Sequence, residues 1–101
     1  MEGQATISTD VLARYAADAA REVAGVRRLA GSSVPRRRAV RIASDANGNV
    51  RVELHVAVEW GASIPVVGRD VRVRVREYLA RMAQIDAATV DVVVDEIGPR
   101  P

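Results

Sequence analysis

The chain has 101 residues, of which 49% are apolar and 3% aromatic, and its formal charge at pH 7 is +2. This length predicts one domain, residues 1–97, followed by a flexible tail over residues 98–101. Cysteine is absent, which excludes disulfides and cysteine-ligated zinc. No apolar run is long enough to span a bilayer and the amino terminus lacks the pattern of a signal peptide, so we expect a cytoplasmic protein.

Residues 9–24 carry the pattern of an amphipathic helix. Ser8 or Thr9 can cap its first turn, and Gly25 is placed to end it in the left-handed conformation. Its apolar side chains recur at helical spacing: Leu12, Tyr15, Ala16, Ala19, Ala20 and Val23. Residues 5–8 could form a short edge strand before this helix.

The segment that follows is predicted to contain a loop and a hairpin. Residues 27–38 combine glycine, serine, proline and consecutive arginines, which is typical of a loop. Val40 and Ile42 mark a short strand, and an Asn-Gly pair at 47–48 is a strong hairpin signal. The partner strand is predicted over residues 50–60, where apolar side chains occupy the even positions and mainly polar ones the odd positions.

Residues 64–83 are predicted to form the second helix. The part over 71–76 alternates like a strand, but over the longer window seven apolar side chains fall within about a third of a helical circle. Two acid–base pairs at four-residue spacing support the helix: Asp70 with Arg74, and Glu77 with Arg81.

The last predicted element is a strand over residues 89–97, which has inward and outward side chains in alternation. Val90, Val92 and Val94 should point inward, and Asp91 and Asp95 outward. The order is therefore helix, strand, strand, helix, strand. This order predicts an α+β two-layer sandwich with a mixed sheet and both helices on one face. The sheet has three strands, or four if residues 5–8 contribute.

His55 is the sole histidine and shares the polar face of the long strand with Glu53. If Asp91 or Asp95 lies on a neighbouring strand, these groups could form a metal site or an acid–base pair. A solvated histidine beside a cross-strand acid explains the same residues more simply, and we favour it. No catalytic constellation or cofactor motif is present, so we expect neither an enzyme nor a bound cofactor.

Arginines are concentrated between positions 27 and 41. This segment could contact an anionic partner, either phosphates of a nucleic acid or lipid headgroups. The candidate residues are Arg36, Arg37, Arg38 and Arg41. A solvated loop is the simpler explanation, and no aromatic side chain lies nearby to stack on bases. Nucleic-acid binding is therefore retained only as an alternative function.

One face of the second helix is apolar although it points away from the predicted core. Exposed valine lowers helix propensity without contributing to the core, so this face is a candidate partner surface. Its residues are Val66, Val73 and Ala80, flanked by Arg69, Arg72 and Arg76. A few scattered exposed apolar side chains are the alternative explanation.

Several short motifs occur together along the chain. They are Ile7-Ser8, Asp10-Val11, Ala19-Ala20, Glu22-Val23, Gly25-Val26, Val56-Ala57-Val58-Glu59-Trp60-Gly61, Ile64-Pro65 and Val90-Asp91-Val92. With them, the chain resembles the alkaline shock protein family of bacterial envelope-stress proteins. The resemblance implies a non-enzymatic cytoplasmic protein that self-associates, reaches the inner face of the membrane through a membrane-anchored protein partner, and supports cell-envelope homeostasis under stress. It implies no catalytic residue.

Overall fold

The computed structural model describes residues 7–30, 38–86 and 88–101. The elements in chain order are α1 (Thr9–Arg21), β1 (Val26–Leu29), β2 (Val40–Ser44), β3 (Val50–Val58), α2 (Ile64–Ala83) and β4 (Thr89–Ile97). The predicted α+β class is confirmed. Of the possible strand over residues 5–8, the first two residues lie outside the described part, and Ile7 and Ser8 are in no strand.

β3 is the central strand of a mixed sheet. One edge of β3 pairs antiparallel with both β1 and β2, which follow one another along it. The other edge pairs in parallel with β4, and this ladder has one irregularity, after the Val56–Val94 pair. The parallel pairing is the one expected for a strand–helix–strand crossover, here formed by β3, α2 and β4.

β1 and β2 meet at His55. The backbone N–H of Ala30 donates to the His55 carbonyl, and the His55 N–H donates to the Ala39 carbonyl, each over 2.8 Å. Both backbone groups of His55 are therefore bonded by the residues at which the chain leaves and rejoins the sheet. Residues 31–37, which connect these two points, lie outside the described part.

The prediction of a loop over residues 27–38 is wrong at its start, because residues 26–29 form β1. The pairing with β3 shifts register between Val26 and Arg28, and Arg27 and Arg28 are both exposed. Two consecutive exposed arginines remove the alternation by which a strand is recognised. The fourth strand of the sheet is thus β1.

The helix boundaries test the capping predictions. α1 ends at Arg21, three residues earlier than predicted, because the N–H groups of Glu22 and Val23 bond the carbonyls three residues before them in a tightened turn. Gly25 does have a positive φ, +94°, although it follows that turn and not the helix itself. The bounds of α2 and β4 are confirmed as predicted.

One hydrophobic core lies between the helices and the sheet. α1 contributes mainly alanines, which let the helix approach the sheet closely, while β3 and α2 contribute larger side chains. The fully buried larger residues are Val52, Leu54, Val56, Val58, Val71, Val75 and Leu79. The rings of Tyr15 and Tyr78 meet edge to face between the helices, with centroids 5.8 Å apart. Among the described helices, none is long and apolar enough to cross a membrane.

The hairpin between β2 and β3 forms as predicted. Asp45 accepts hydrogen bonds from the backbone N–H groups of Asn47 and Asn49, at 2.8 and 3.0 Å. The Asn49 side-chain amide also donates to this carboxylate, and these bonds lower the pKa of Asp45 below its ordinary value. Gly48 supplies the positive φ that the turn needs.

Gly25 allows α2 to pack against the turn after α1, and its replacement tests this contact. A Cβ atom at Gly25 would lie 2.6 Å from Cγ2 of the buried Val67. We expect Gly25→Ala to lower the free energy of unfolding by about 2–4 kcal/mol, measured by urea denaturation, because the clash adds to the strain of the positive φ.

Gly48→Ala is the matched control for this experiment. Gly48 also has a positive φ, +83°, but nothing lies within 4 Å of its added Cβ. The control should therefore lose only the backbone term, about 1 kcal/mol. Equal losses in the two variants would show that Val67 moves aside and that the close approach does not matter.

Candidate functional site

Most of the sequence-predicted site residues that the structure describes lie on two opposite surfaces. The first is the open face of the sheet, on the side away from the helices, where the odd-numbered side chains of β3 point. The second is the outer face of α2, which is turned away from the sheet. Both surfaces are rich in charge, so the decisive question is which of these charges are already paired within the chain.

His55 sits between two carboxylates on the open face. Its Nδ1 lies 2.8 Å from Oδ2 of Asp95, on β4, and its Nε2 lies 2.9 Å from Oε2 of Glu53, on β3 itself. The residue is only 6% exposed. Asp95 reaches the ring from the part of β4 where the pairing with β3 shifts register, between the Val94 and Glu96 pairs. The three side chains form what we call the histidine clasp.

The clasp favours the charged imidazolium. A neutral imidazole has a single N–H and can donate to one carboxylate only, whereas the imidazolium donates to both. The hydrogen bond to Glu53 raises the pKa of His55 above its ordinary value of 6.5; burial opposes this effect, and Asp95 adds to it through its hydrogen bond and its charge. The clasp is thus an ion triad, with a buried imidazole between two partly exposed carboxylates, that joins β3 to β4.

The expectation of a solvated histidine is wrong, although the predicted cross-strand acid, Asp95, is present. His55 is buried because β3 is flanked by strands on both edges and because carboxylates cover both ring nitrogens. Those nitrogens point in opposite directions, so the two acids do not converge on one point. Within the described residues, no group of three or more His, Asp or Glu side chains is arranged to hold a metal ion.

The described arginines of the 27–41 segment are largely paired with acids. Arg28 forms an ion pair with Glu96 across the open face. Arg38 lies 3.5 Å from Asp10, and Arg41 lies 4.0 Å from Glu53. Arg36 and Arg37 lie outside the described residues. Of the four arginines of this segment that the structure describes, three thus lie near an acid, and Arg27 has no acid within ion-pairing distance among the described residues.

The outer face of α2 is exposed as predicted. Val66 and Val73 are 43% and 48% exposed, and Ala80 is half-buried. The arginines beside them, Arg69, Arg72 and Arg76, are also exposed. A shallow depression of about 280 Å³ lies at the carboxyl-terminal half of this face, lined by Val73, Ala80, Arg76, Glu77 and Asp86. We call Val66, Val73 and Ala80 the outer ridge.

The two predicted ion pairs along α2 are not formed. Arg74 pairs instead with Glu22, at the end of α1, over 3.3 Å, and Asp70 lies 3.5 Å from Arg69. Arg81 lies over the ring of Tyr78, 5.4 Å from its centroid. Contacts with α1 and with a neighbouring aromatic ring thus replace the four-residue pairs.

Several charges on this face have no partner within the described residues. Neither Arg72 nor Arg76 has an acid within ion-pairing distance there, and Glu77 has no cation. Sequence reasoning assigned the arginines to this surface, but it assigned the acids Asp70 and Glu77 to ion pairs along the helix and not to the surface. Their separation by seven residues, the same as that of Val66 and Val73, was the signal that could have identified them.

Comparisons with known proteins relate the whole chain to one family and to one fold. A family model matches residues 1–99, that of the alkaline shock protein 23 family, whose description is a cell envelope-related function. A search of curated proteins finds no match.

Solved structures of a MamM CTD are similar in fold. The structure titled MamM-CTD 215-293 has a TM-score of 0.57 and 12% sequence identity, over 88% of this chain and 99% of that one. A variant of that domain with a histidine replaced by alanine has a TM-score of 0.59 and 14% identity, over 88% and 100% of the two chains. A further variant, in a copper form, has a TM-score of 0.58 at 14% identity, over the same shares. Identities this low establish the fold alone.

The histidine clasp predicts a loss of stability in alkali. Because the pKa of folded His55 is raised, its stabilising contribution is fully present below the unfolded value, about 6.5, and is lost as pH rises through the folded value. The chain has one histidine, no lysine and no cysteine, so other side chains contribute little to the change of unfolding free energy with pH between about pH 6 and 9. We expect the free energy of unfolding, measured by urea titration, to fall across this range.

His55→Gln is the control variant, since glutamine keeps a polar side chain but does not titrate. It should be less stable than the parent at pH 6, and its stability should be nearly independent of pH between 6 and 9. A parent protein with the same flat profile would show that the clasp does not hold a proton.

Proposed function

Because the chain belongs to the alkaline shock protein 23 family, with its cell envelope-related function, we propose that it is a non-enzymatic protein-interaction module of cell-envelope homeostasis under stress. Residues 1–97 act as one unit in the cytoplasm. A membrane-anchored protein partner holds this unit at the inner face of the membrane, and the unit also associates with its own copies. The observation that carries the proposal is the exposed outer ridge of α2.

The outer ridge has the chemistry of a protein-contact surface. Valine in a helix loses side-chain freedom, and a valine that remains in water gains no burial in return. Val66 and Val73 are nonetheless about half exposed and one heptad apart. Burial against a partner would supply the missing hydrophobic contribution, about 25 cal/mol per Å² of apolar surface removed from water. Unpaired arginines beside the ridge supply charges that a partner can satisfy.

The other candidate functions have less support. Of the arginines that a nucleic acid would need, Arg28, Arg38 and Arg41 each lie near an acid of the chain itself, and Arg36 and Arg37 lie outside the described residues. The histidine that an acid–base reaction would use has both ring nitrogens bonded to carboxylates. A protein-contact role requires neither group and uses the face of the molecule where charges remain unpaired.

Membrane association through a partner follows from how the apolar residues are distributed. Insertion of a helix into the membrane surface requires a broad apolar face on that helix. The apolar stripe of α2 is instead buried against α1 and β4, at Val67, Val71, Val75 and Leu79. Its exposed outer ridge is only three side chains long and is bordered by charge. A protein partner is therefore the better source of membrane attachment.

Replacement of Val73 by glutamate tests the outer ridge. We expect Val73→Glu to lower the association state measured by analytical ultracentrifugation. Its melting temperature should stay nearly unchanged, because most surface substitutions alter stability by about 0.5 kcal/mol or less. Ile97→Glu, at an equally exposed apolar residue on β4, is the control and should leave association intact. Unchanged association in Val73→Glu would remove the ridge from the interface.

Vesicle binding tests the role of the membrane partner. The purified protein should bind neutral phosphatidylcholine vesicles negligibly in a flotation assay, since neither described helix has a broad exposed apolar face to insert. In cells of its source, the same protein should fractionate with the membrane. Tight and salt-insensitive binding of the purified protein to neutral vesicles would contradict attachment through a partner.

A further inference from the structure

The outer face of α2 carries a seven-residue repeat of three kinds of side chain. The outer ridge has Val66, Val73 and Ala80 at seven-residue intervals; the basic pair Arg69 and Arg76 and the acidic pair Asp70 and Glu77 have the same interval. At 100° per residue, positions seven apart differ by only about 20° around the helix. The three sets therefore form three nearly straight rows along one helix face.

The rows are ordered basic, apolar, acidic across that face. Measured from Val73, the two arginines lie about 40–60° to one side of the ridge and the two acids about 40–60° to the other. All of these side chains are at least partly exposed. The two flanks of this face therefore carry opposite charges, positive on one side of the ridge and negative on the other.

The rest of the molecule strengthens this asymmetry. On the acidic flank, a groove of about 400 Å³ separates α2 from the end of α1, and its lining includes Glu22, Asp70 and Glu77 against a single cation, Arg74. That arginine already pairs with Glu22. On the other flank, Arg72 and Arg76 have no acid within ion-pairing distance among the described residues. An acidic groove thus borders one side of the ridge, and two arginines without an acid partner among the described residues, Arg72 and Arg76, border the other.

Symmetry determines what such a face can bind. If two copies meet with α2 helices parallel, a two-fold axis runs along the helices, and the basic flank of each copy faces the acidic flank of the other. If the helices are antiparallel, the two-fold axis is perpendicular to them. The basic flank of each copy then faces the basic flank of the other, and the acidic flank faces the acidic flank. A Val73-centred antiparallel pair would place Arg69 beside the partner's Arg76, within about 1.5 Å in height along the helix. Like charges so placed disfavour that arrangement.

We propose that a second copy of this chain docks on the outer face of α2 with the two α2 helices parallel. Val66, Val73 and Ala80 then contact their own counterparts, and Arg76 of each copy pairs with the partner's Glu77. Arg69 exchanges Asp70 of its own helix for the partner's Asp70. The pairing is isologous, as expected for a closed two-fold dimer. It rests on the proposed interaction function and specifies the geometry of its self-association.

Cysteine cross-linking tests the orientation directly, because the natural chain has no cysteine. Val66→Cys and Ala80→Cys, each alone in the full chain, should form disulfide-linked dimers under mild oxidation, since parallel helices bring each residue beside its own counterpart. A mixture of the two variants should form few dimers that join residue 66 to residue 80. Val73→Cys is the internal reference, because it lies near the centre of both the parallel and the antiparallel pair.

The cross-linking outcomes are distinct. Two results together would overturn the parallel pairing and establish an antiparallel one. Residue 73 would link to its own counterpart, and residue 66 would link to residue 80 while neither of these two links to its own counterpart. No linkage at residue 73 would overturn α2-to-α2 docking altogether. In either case, recovery of the chain with the membrane would still support the proposed envelope function, so the two failures can be told apart.

Charge reversal provides an independent test with opposite signs for the two orientations. In the parallel dimer, Arg76→Glu and Glu77→Arg should each weaken association about tenfold or more in sedimentation equilibrium, and the double variant should restore it. In an antiparallel dimer, each single reversal would strengthen association, because it converts a like-charge contact into an ion pair. Glu59→Arg, an exposed reversal in the turn before α2 and outside the three rows, should leave association unchanged. No effect of either single reversal would overturn the proposed ion pairs.

Discussion

The position of β3 at the centre of the sheet, hydrogen-bonded along both edges, determines most of this structure. Its even-numbered side chains lie on one face and form the floor of the core, where Val52, Leu54, Val56 and Val58 are fully buried. Both helices pack there because only that face is apolar. The same pairing aligns the charged partners on the opposite face, where His55 receives Asp95 from the parallel strand β4. A shift of one residue in β3 would exchange the two faces and destroy both arrangements.

The charges of the molecule are distributed unequally between its two outer surfaces. On the open face of the sheet, ion pairs satisfy most of them: the histidine clasp, Arg28 with Glu96, and Arg51 with Asp91 at 3.8 Å. The two exposed arginine pairs contribute only about 0–1 kcal/mol each, so their main effect is to leave little charge for a ligand. On the outer face of α2, valines and unpaired charges remain together. For this reason our proposal assigns contact with another protein to the helical layer.

The fold by itself does not specify this role. The two MamM CTD structures compared above share the architecture at 12% and 14% identity, so most residues differ although the fold is similar. A sheet with two helices on one face leaves its two outer surfaces free to vary, because only the inner stripe of each element must be apolar. Family membership points to the cell envelope, and the outer ridge is the contact surface that we propose.

The sequence alone determined the elements whose side chains repeat with the period of their backbone. β3, α2, β4 and the hairpin before β3 were all predicted, and the bounds of α2 and β4 are confirmed, because burial on one face imposes a period of two or 3.6 that is visible locally. The exposure of Val66 and Val73 followed from the same helical geometry. Local periodicity thus gave the architecture and the candidate surface.

Only the tertiary structure decided what contacts what. β1 has four residues and an irregular register, so it is a strand only because the edge of β3 offers backbone groups to pair with. His55 is buried only because Asp95, 40 residues later, reaches it at the point where the ladder shifts register. Arg74 pairs with Glu22, 52 residues earlier, and not with the acid one helical turn away. Such contacts join residues that are far apart in the sequence, so they depend on tertiary packing and are not visible in any local pattern of side chains.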